Sequence, residues 1–244
     1  MSDGQKRELV VLPDAEALAH HVAEWLIADA NATEGPFAIA LSGGSTPRRL
    51  YQLLAQRPYR DALPWARVHW FLGDERFVPP DDPLSNYRMI DEAMFSLSPA
   101  PAANIHAVPT QGLTPEDAAI SYERTLKDFY GAAQLNPAKP LFDINLLGLG
   151  PDGHTASLFP ATEVLQERTR WVAAVIGAKK EARITLTYAV LESSRHIAFL
   201  VSGVEKREVL TRLLKGDPAL PSSHVHPIGD VIVFADAEAV GQAL

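Results

Sequence analysis

The sequence predicts an α/β protein: a single doubly wound domain, residues 1–244, with a mainly parallel sheet covered by helices on both faces. Two observations carry this. Short apolar runs of strand length alternate with longer segments of helical period, the pattern of a parallel sheet whose crossovers are helices. No long linker interrupts the chain; residues 98–103, rich in Pro and Ala, are the most linker-like piece and are too short to separate domains.

The elements follow in order. Residues 9–12 read as a strand. Asp14 then caps a helix to about residue 31, with Ala17, Leu18, Val22, Trp25 and Leu26 as its apolar positions. Phe37–Leu41 is uninterruptedly apolar, a buried strand. Residues 47–55 read as a helix with Pro47 at its first position, where the missing N–H is harmless. Val68–Leu72 is a strand, and residues 86–95 a helix capped by Ser85 or Asn86. Pro115–Tyr130 is a helix capped by Thr114. Strands are expected at 142–147, 171–175, 196–201 and 231–235, and helices at 205–214 and 236–244. In such sheets ligands bind beyond the carboxyl ends of the strands.

Composition excludes several functions. The chain has no cysteine, which removes disulfides, Cys-ligated zinc, iron–sulfur clusters and a thiolate nucleophile. A net charge of −8 without a Lys/Arg-rich block argues against nucleic acid as a partner. Residues 1–8 are polar and resemble no signal peptide, and no apolar run approaches membrane-spanning length, so a cytoplasmic protein without a membrane partner is expected. Its quaternary state is expected to be a monomer or a small homo-oligomer.

Chemistry-bearing residues cluster just after predicted strands. After Phe37–Leu41 comes Ser42-Gly43-Gly44-Ser45-Thr46, then Pro47, Arg48 and Arg49. Two glycines admit an anion close to the backbone, hydroxyls add donors, and the next helix turns its positive end to the same place. The loop matches neither GxxxxGK[ST] nor GxGxxG, which argues against an NTPase or a dinucleotide enzyme. After Val68–Leu72 comes Gly73-Asp74-Glu75-Arg76, where the planar fork of Arg76 suits a phosphate or carboxylate and Asp74 suits a substrate hydroxyl or a base. After residues 142–147 comes a Gly-rich turn holding Asp152 and His154, one glycine apart. A histidine so placed is a natural general base for water, with Asp152 orienting the imidazole. The other histidines, 20, 21, 69, 106, 196, 224 and 226, read as structural or merely exposed. A metal centre finds no HExxH and no completed ligand set around His224 and His226, and a serine hydrolase finds no GxSxG elbow. Lys206 opens a predicted helix, where a cation sits badly unless it serves an anion.

Taken together, residues 41–48, 73–80 with 85–88, 147–160, 183–187 and 202–206 resemble the 6-phosphogluconolactonase family, within the superfamily that includes glucosamine-6-phosphate deaminase. The string GPDGHTASLFP ending at Pro160 is the most specific part. The resemblance implies hydrolysis of 6-phospho-D-glucono-1,5-lactone to 6-phospho-D-gluconate in the pentose phosphate pathway, with a small phosphorylated sugar lactone as ligand, no cofactor and no metal. It implies His154, Asp152, Arg76 and Asp74 as catalytic, and Ser42, Gly43, Gly44, Ser45, Thr46, Arg48, Arg183 and Lys206 as substrate-binding. The deaminase pattern continues to a catalytic Glu just before the Pro, where this chain has Phe159. The alternatives are therefore a deaminase/isomerase-like enzyme or a non-catalytic sugar-phosphate-binding domain. The chain departs from the lactonase pattern before Arg183, where prolines are usual and it reads Gly-Ala-Lys-Lys-Glu-Ala, and at Ala161, where glycine is common.

Overall fold

The computed structural model describes residues 7–241. Ten strands are assigned among them: β1 (Arg7–Leu12), β2 (Phe37–Leu41), β3 (Val68–Leu72), β4 (Asp74–Arg76), β5 (Ile105–His106), β6 (Phe142–Gly148), β7 (Val172–Val175), β8 (Arg183–Leu186), β9 (Ser194–Val201) and β10 (Asp230–Asp236). The helices are α1 (Ala15–Ala32), α2 (Ser45–Leu54), α3 (Tyr59–Ala62), α4 (Asn86–Ala93), α5 (Pro115–Tyr130), α6 (Tyr188–Leu191), α7 (Arg207–Leu214) and α8 (Ala237–Val240).

Seven strands form one parallel sheet in the order β1-β10-β9-β6-β2-β3-β5. Successive side chains on a strand face opposite ways, and β3 shows that both faces are covered. Trp70 packs against Trp65 and Phe95, whereas Phe71 packs against Phe129 of α5. Trp25 of α1 meets His196 and Phe234, which lie on the Trp70 side of the sheet by register. The interior strand β2 is accordingly buried along its whole length.

The helix ends carry the expected chemistry. Asp14 accepts from the Ala17 N–H, Ser85 from Arg88 and Thr114 from Asp117. Gly131 closes α5 in the left-handed conformation that glycine adopts without a Cβ penalty.

Several expectations change. Residues 171–175 were expected as one more strand of the main sheet; β7 instead joins β4 and β8 in a separate antiparallel sheet. Strands β4 and β8 are not foreshadowed by apolar runs, because Asp-Glu-Arg is short and charged and Arg-Ile-Thr-Leu holds only two apolar residues. Helix α2 starts at Ser45, so Pro47 occupies the third position of its first turn; an N–H there has no intrahelical partner in any case. The helix expected at 205–214 divides into a tight 3₁₀ turn, Val204–Lys206, and α7, which leaves Lys206 as the residue capping α7. Asp236 ends β10 and caps α8; of the helix expected at 236–244, residues 242–244 lie outside the described residues.

The topology places the site. From β2 the chain moves outward to β3 and β5, whereas β6, β9 and β10 build the other half of the sheet. The neighbours β2 and β6 flank the point where the winding reverses, and a crevice opens there beyond their carboxyl ends. The Ser42 and His154 loops leave these two strands.

Candidate active site

Four loops meet at the carboxyl ends of adjacent strands: residues 42–46 after β2, 73–76 after β3, 149–157 after β6 and 202–206 after β9. They enclose a cavity of about 320 Å³ lined by Ser42, Gly43, Gly44, Ser45, Thr46, Asp74, Arg76, Asn86, His154, Ser202, Glu205 and Lys206, with backbone from Gly148 to Pro151.

The first loop is fixed by Tyr51 of α2. Its phenol accepts from the Ser42 N–H at 3.0 Å and donates to the Ser42 carbonyl at 2.8 Å. Gly43 has no room for a side chain: a Cβ would lie 2.0 Å from Oδ1 of Asn86. Gly44, at φ 111°, caps α2, so the loop delivers small residues onto the N-terminal end of a ten-residue helix.

The second loop is held from beneath by Glu75. This buried carboxylate accepts from the backbone N–H groups of Arg76, Asn86 and Tyr87 at 2.7–2.8 Å and from the Ser85 hydroxyl at 3.0 Å. Burial pushes Glu75 above the usual carboxylate range, and the four hydrogen bonds oppose that rise. Its neighbours Asp74 and Arg76 are thereby turned to the cavity. Asp74 accepts from the Ser157 hydroxyl at 2.6 Å, and Asn86 Nδ2 donates to the Asp74 carbonyl at 2.9 Å. Arg76 donates to the Leu84 carbonyl at 2.6 Å.

In the third loop the imidazole Nδ1 of His154 is hydrogen-bonded to Oδ1 of Asp152, which also accepts from the His154 backbone N–H at 3.2 Å. With Nδ1–H donating to the carboxylate, Nε2 is left as the ring's basic nitrogen. Burial raises Asp152, but the hydrogen bonds from His154 outweigh it and hold the carboxyl below its ordinary value. The ring lies directly on the backbone of Gly150, where a Cβ would come within 2.0 Å of Nδ1.

In the fourth loop, Lys206 donates to the Leu149 carbonyl at 2.8 Å, which ties the β9 and β6 loops together. Ser202 donates to Asp236 at 2.5 Å. The cavity carries two cations, Arg76 and Lys206, against two anions, Asp74 and Glu205. An anion there would rely on backbone N–H groups as well as side-chain charge.

His154, Arg76, Asp74, Ser42, Gly43, Gly44, Ser45, Thr46 and Lys206 are thus brought together, with Asp152 behind His154 on the wall of an adjoining cavity of about 720 Å³. Two expected residues are not. Arg48 is exposed on α2 and does not line the cavity, because the helix begins two residues earlier than the sequence suggests. Arg183 also does not line it; it stands opposite Arg76 in the β4–β8 pairing. Burial first, and the adjacent Arg76 second, lower the proton affinity of its guanidinium. Asn86, Glu75, Ser157, Gly150 and Ser202 escaped the reading. All fall inside the motifs, but the roles of Glu75, Asn86, Ser157 and Ser202 depend on partners 10 to 83 residues away, and that of Gly150 on the folded turn that lays His154 on it. Among the described residues no group of three or more His, Asp or Glu side chains could hold a metal ion, and no helix is long and apolar enough to cross a membrane.

Residues 13–234 match the family described as glucosamine-6-phosphate isomerases/6-phosphogluconolactonase. A 6-phosphogluconolactonase of Nostoc sp. is 40% identical over 242 residues, covering 96% of this chain and 97% of that one. One of Synechocystis sp. is 41% identical over 218 residues, 87% of each. The crystal structure of 6-phosphogluconolactonase from Thermotoga maritima superposes with a TM-score of 0.80 at 33% identity, over 95% of this chain and all of that one. The chain belongs to the glucosamine-6-phosphate isomerase/6-phosphogluconolactonase family.

Proposed function

We propose that this protein hydrolyses 6-phospho-D-glucono-1,5-lactone to 6-phospho-D-gluconate without a metal ion, with His154 as the base that activates water. One observation carries the reading: an Asp-oriented imidazole and a Gly/Ser loop at a helix N-terminus line one cavity from neighbouring strands. A substrate with a phosphate at one end and an electrophilic carbonyl at the other fits that pairing. The lactonase relatives support the same choice.

In this reading Ser42 to Thr46 and Lys206 hold the phosphate. Nε2 of His154 takes a proton from water as its oxygen bonds to the lactone carbonyl carbon. Negative charge collects on the carbonyl oxygen, where Arg76 or loop N–H groups supply donors. The intermediate collapses by breaking the bond to the ring oxygen, which receives the proton from His154. Asp152 keeps the imidazole in the required tautomer throughout. The acid formed ionises near neutral pH, so each turnover releases one proton. A positioned base contributes roughly 10²–10⁴ in rate, a useful gain for a lactone that already hydrolyses in water unaided.

Phe159 speaks against the deaminase alternative: it occupies the position where the resemblance places that enzyme's proton-transferring Glu, and it is buried. The test is loss of lactone generated in situ, with EDTA present, against an enzyme-free control. Rapid EDTA-resistant loss is expected, and His154→Asn should remove most turnover while sparing binding of 6-phosphogluconate. A wild-type rate equal to the control would overturn the proposal, and ammonia release from glucosamine 6-phosphate would restore the alternative.

A further inference from the structure

The imidazole of His154 is confined on more sides than its hydrogen bond to Asp152 requires. The Gly150 backbone lies against it, and the Phe159 ring stands with its centroid 4.7 Å away, tilted by 49°. Phe159 in turn carries the ammonium of Lys179 at 4.8 Å from its ring centre. Lys179 comes from the β7–β8 connection, in the stretch Gly-Ala-Lys-Lys-Glu-Ala. Asp152, Phe159 and Lys179 share the wall of the larger adjoining cavity. The charged groups around the imidazole are Asp74, Arg76, Glu205 and Lys206 on the cavity side, and Asp152, Glu163 and Lys179 on the other.

We propose that Phe159 and Lys179 form a brace behind the base: the Phe159 ring is a positioning residue that fixes the imidazole on Gly150, and Lys179, seated over the ring face, keeps that ring in place. The proposal rests on the lactonase reading for its kinetic part only. A flat ring beside an imidazole limits rotation about the His side-chain bonds at little polar cost. A cation over an aromatic face at an exposed site shifts a conformational equilibrium about two- to fivefold. That is enough to bias the position of an exposed connection.

The experiment compares wild type with Phe159→Leu, Phe159→Tyr, Lys179→Met and Lys179→Arg, each checked for an unchanged circular dichroism spectrum and a cooperative thermal transition. Turnover is read as kcat and KM separately. The proton NMR signal of the His154 Nδ1–H, identified by its loss in His154→Asn, is read without any substrate. Phe159→Leu should lower kcat roughly 10-fold with KM within about twofold, and should broaden the Nδ1–H signal. Phe159→Tyr, which keeps the aromatic ring, should restore both. Lys179→Met should cost about two- to fivefold in kcat, recovered in Lys179→Arg, which keeps the cation over the ring. A sharp, unshifted signal in Phe159→Leu, or losses confined to KM, would overturn the brace, as would equal rates in Lys179→Met and Lys179→Arg. An inactive wild type would overturn the lactonase reading alone, because the NMR readout still judges the brace.

Discussion

Replacing Gly150 with alanine separates the position of the base from its mere presence. A Cβ at this residue would stand 2.0 Å from Nδ1 and 2.1 Å from Cε1 of His154. Comfortable contact between such atoms is about 3.5 Å, so the imidazole must retreat by roughly 1.5 Å. That distance breaks its hydrogen bond to Asp152 and carries Nε2 off the line to an attacking water. Misplacement of about 1 Å costs on the order of 10² in rate, and the whole base contributes roughly 10²–10⁴. Gly150→Ala is therefore expected to lower kcat about 10²- to 10³-fold, or about 3–4 kcal/mol at 1.4 kcal/mol per decade. Folding stability should fall by a smaller amount, about 1–3 kcal/mol, because the crowding is local. The assay is lactone hydrolysis by the purified variant, alongside binding of 6-phosphogluconate, which should stay near wild type. The double variant Gly150→Ala/His154→Asn should be no worse than His154→Asn, since both changes remove one function. A Gly150→Ala enzyme with kcat within twofold of wild type would refute the argument that the ring must rest on this backbone.

Two further outcomes follow from the geometry. Lys206→Ala should mainly raise the dissociation constant for 6-phosphogluconate, about tenfold or more, with a smaller change in kcat; an unchanged affinity in calorimetry would place Lys206 outside the phosphate site. His106 should make the fold acid-sensitive. It stacks on Phe71 at 4.2 Å and meets His69 at 3.2 Å, and burial followed by His69 pushes it down from 6.5 to about 4. A base depressed in the folded state contributes its full stability above pH 6.5 and loses it as pH falls towards 4. Discounted for partial exposure, about 1 kcal/mol should vanish between pH 7 and 5. Urea unfolding of wild type and His106→Gln at both pH values checks this, and an equal loss in the two proteins would rule out His106 as the source.

The architecture and most of the site are written in residue order. An apolar run such as Phe37–Leu41 is legible because a strand covered on both faces must be apolar throughout. The loops following them are legible because glycines, hydroxyls and charges at strand ends have few structural uses in that density. His154 with Asp152 lies two residues apart, so the pairing that orients the base is a local property of the chain.

Whatever depends on distant partners had to await folding. The charged strand Asp74–Arg76 exists only because Arg183–Leu186 lies against it, and that pairing sets Arg183 beside Arg76 rather than in the lining of the cavity. Glu75 gave no sign of its role, since a buried carboxylate is tolerable only where backbone N–H groups from α4 converge on it. Arg48 lies off the cavity lining because the helix begins two residues earlier than the sequence suggests, a difference of more than half a turn. Gly150 and Phe159 are an ordinary turn glycine and an ordinary core aromatic in the sequence. Only the folded loop sets both against one imidazole, because van der Waals contact is fixed by three-dimensional proximity and leaves no trace in residue order.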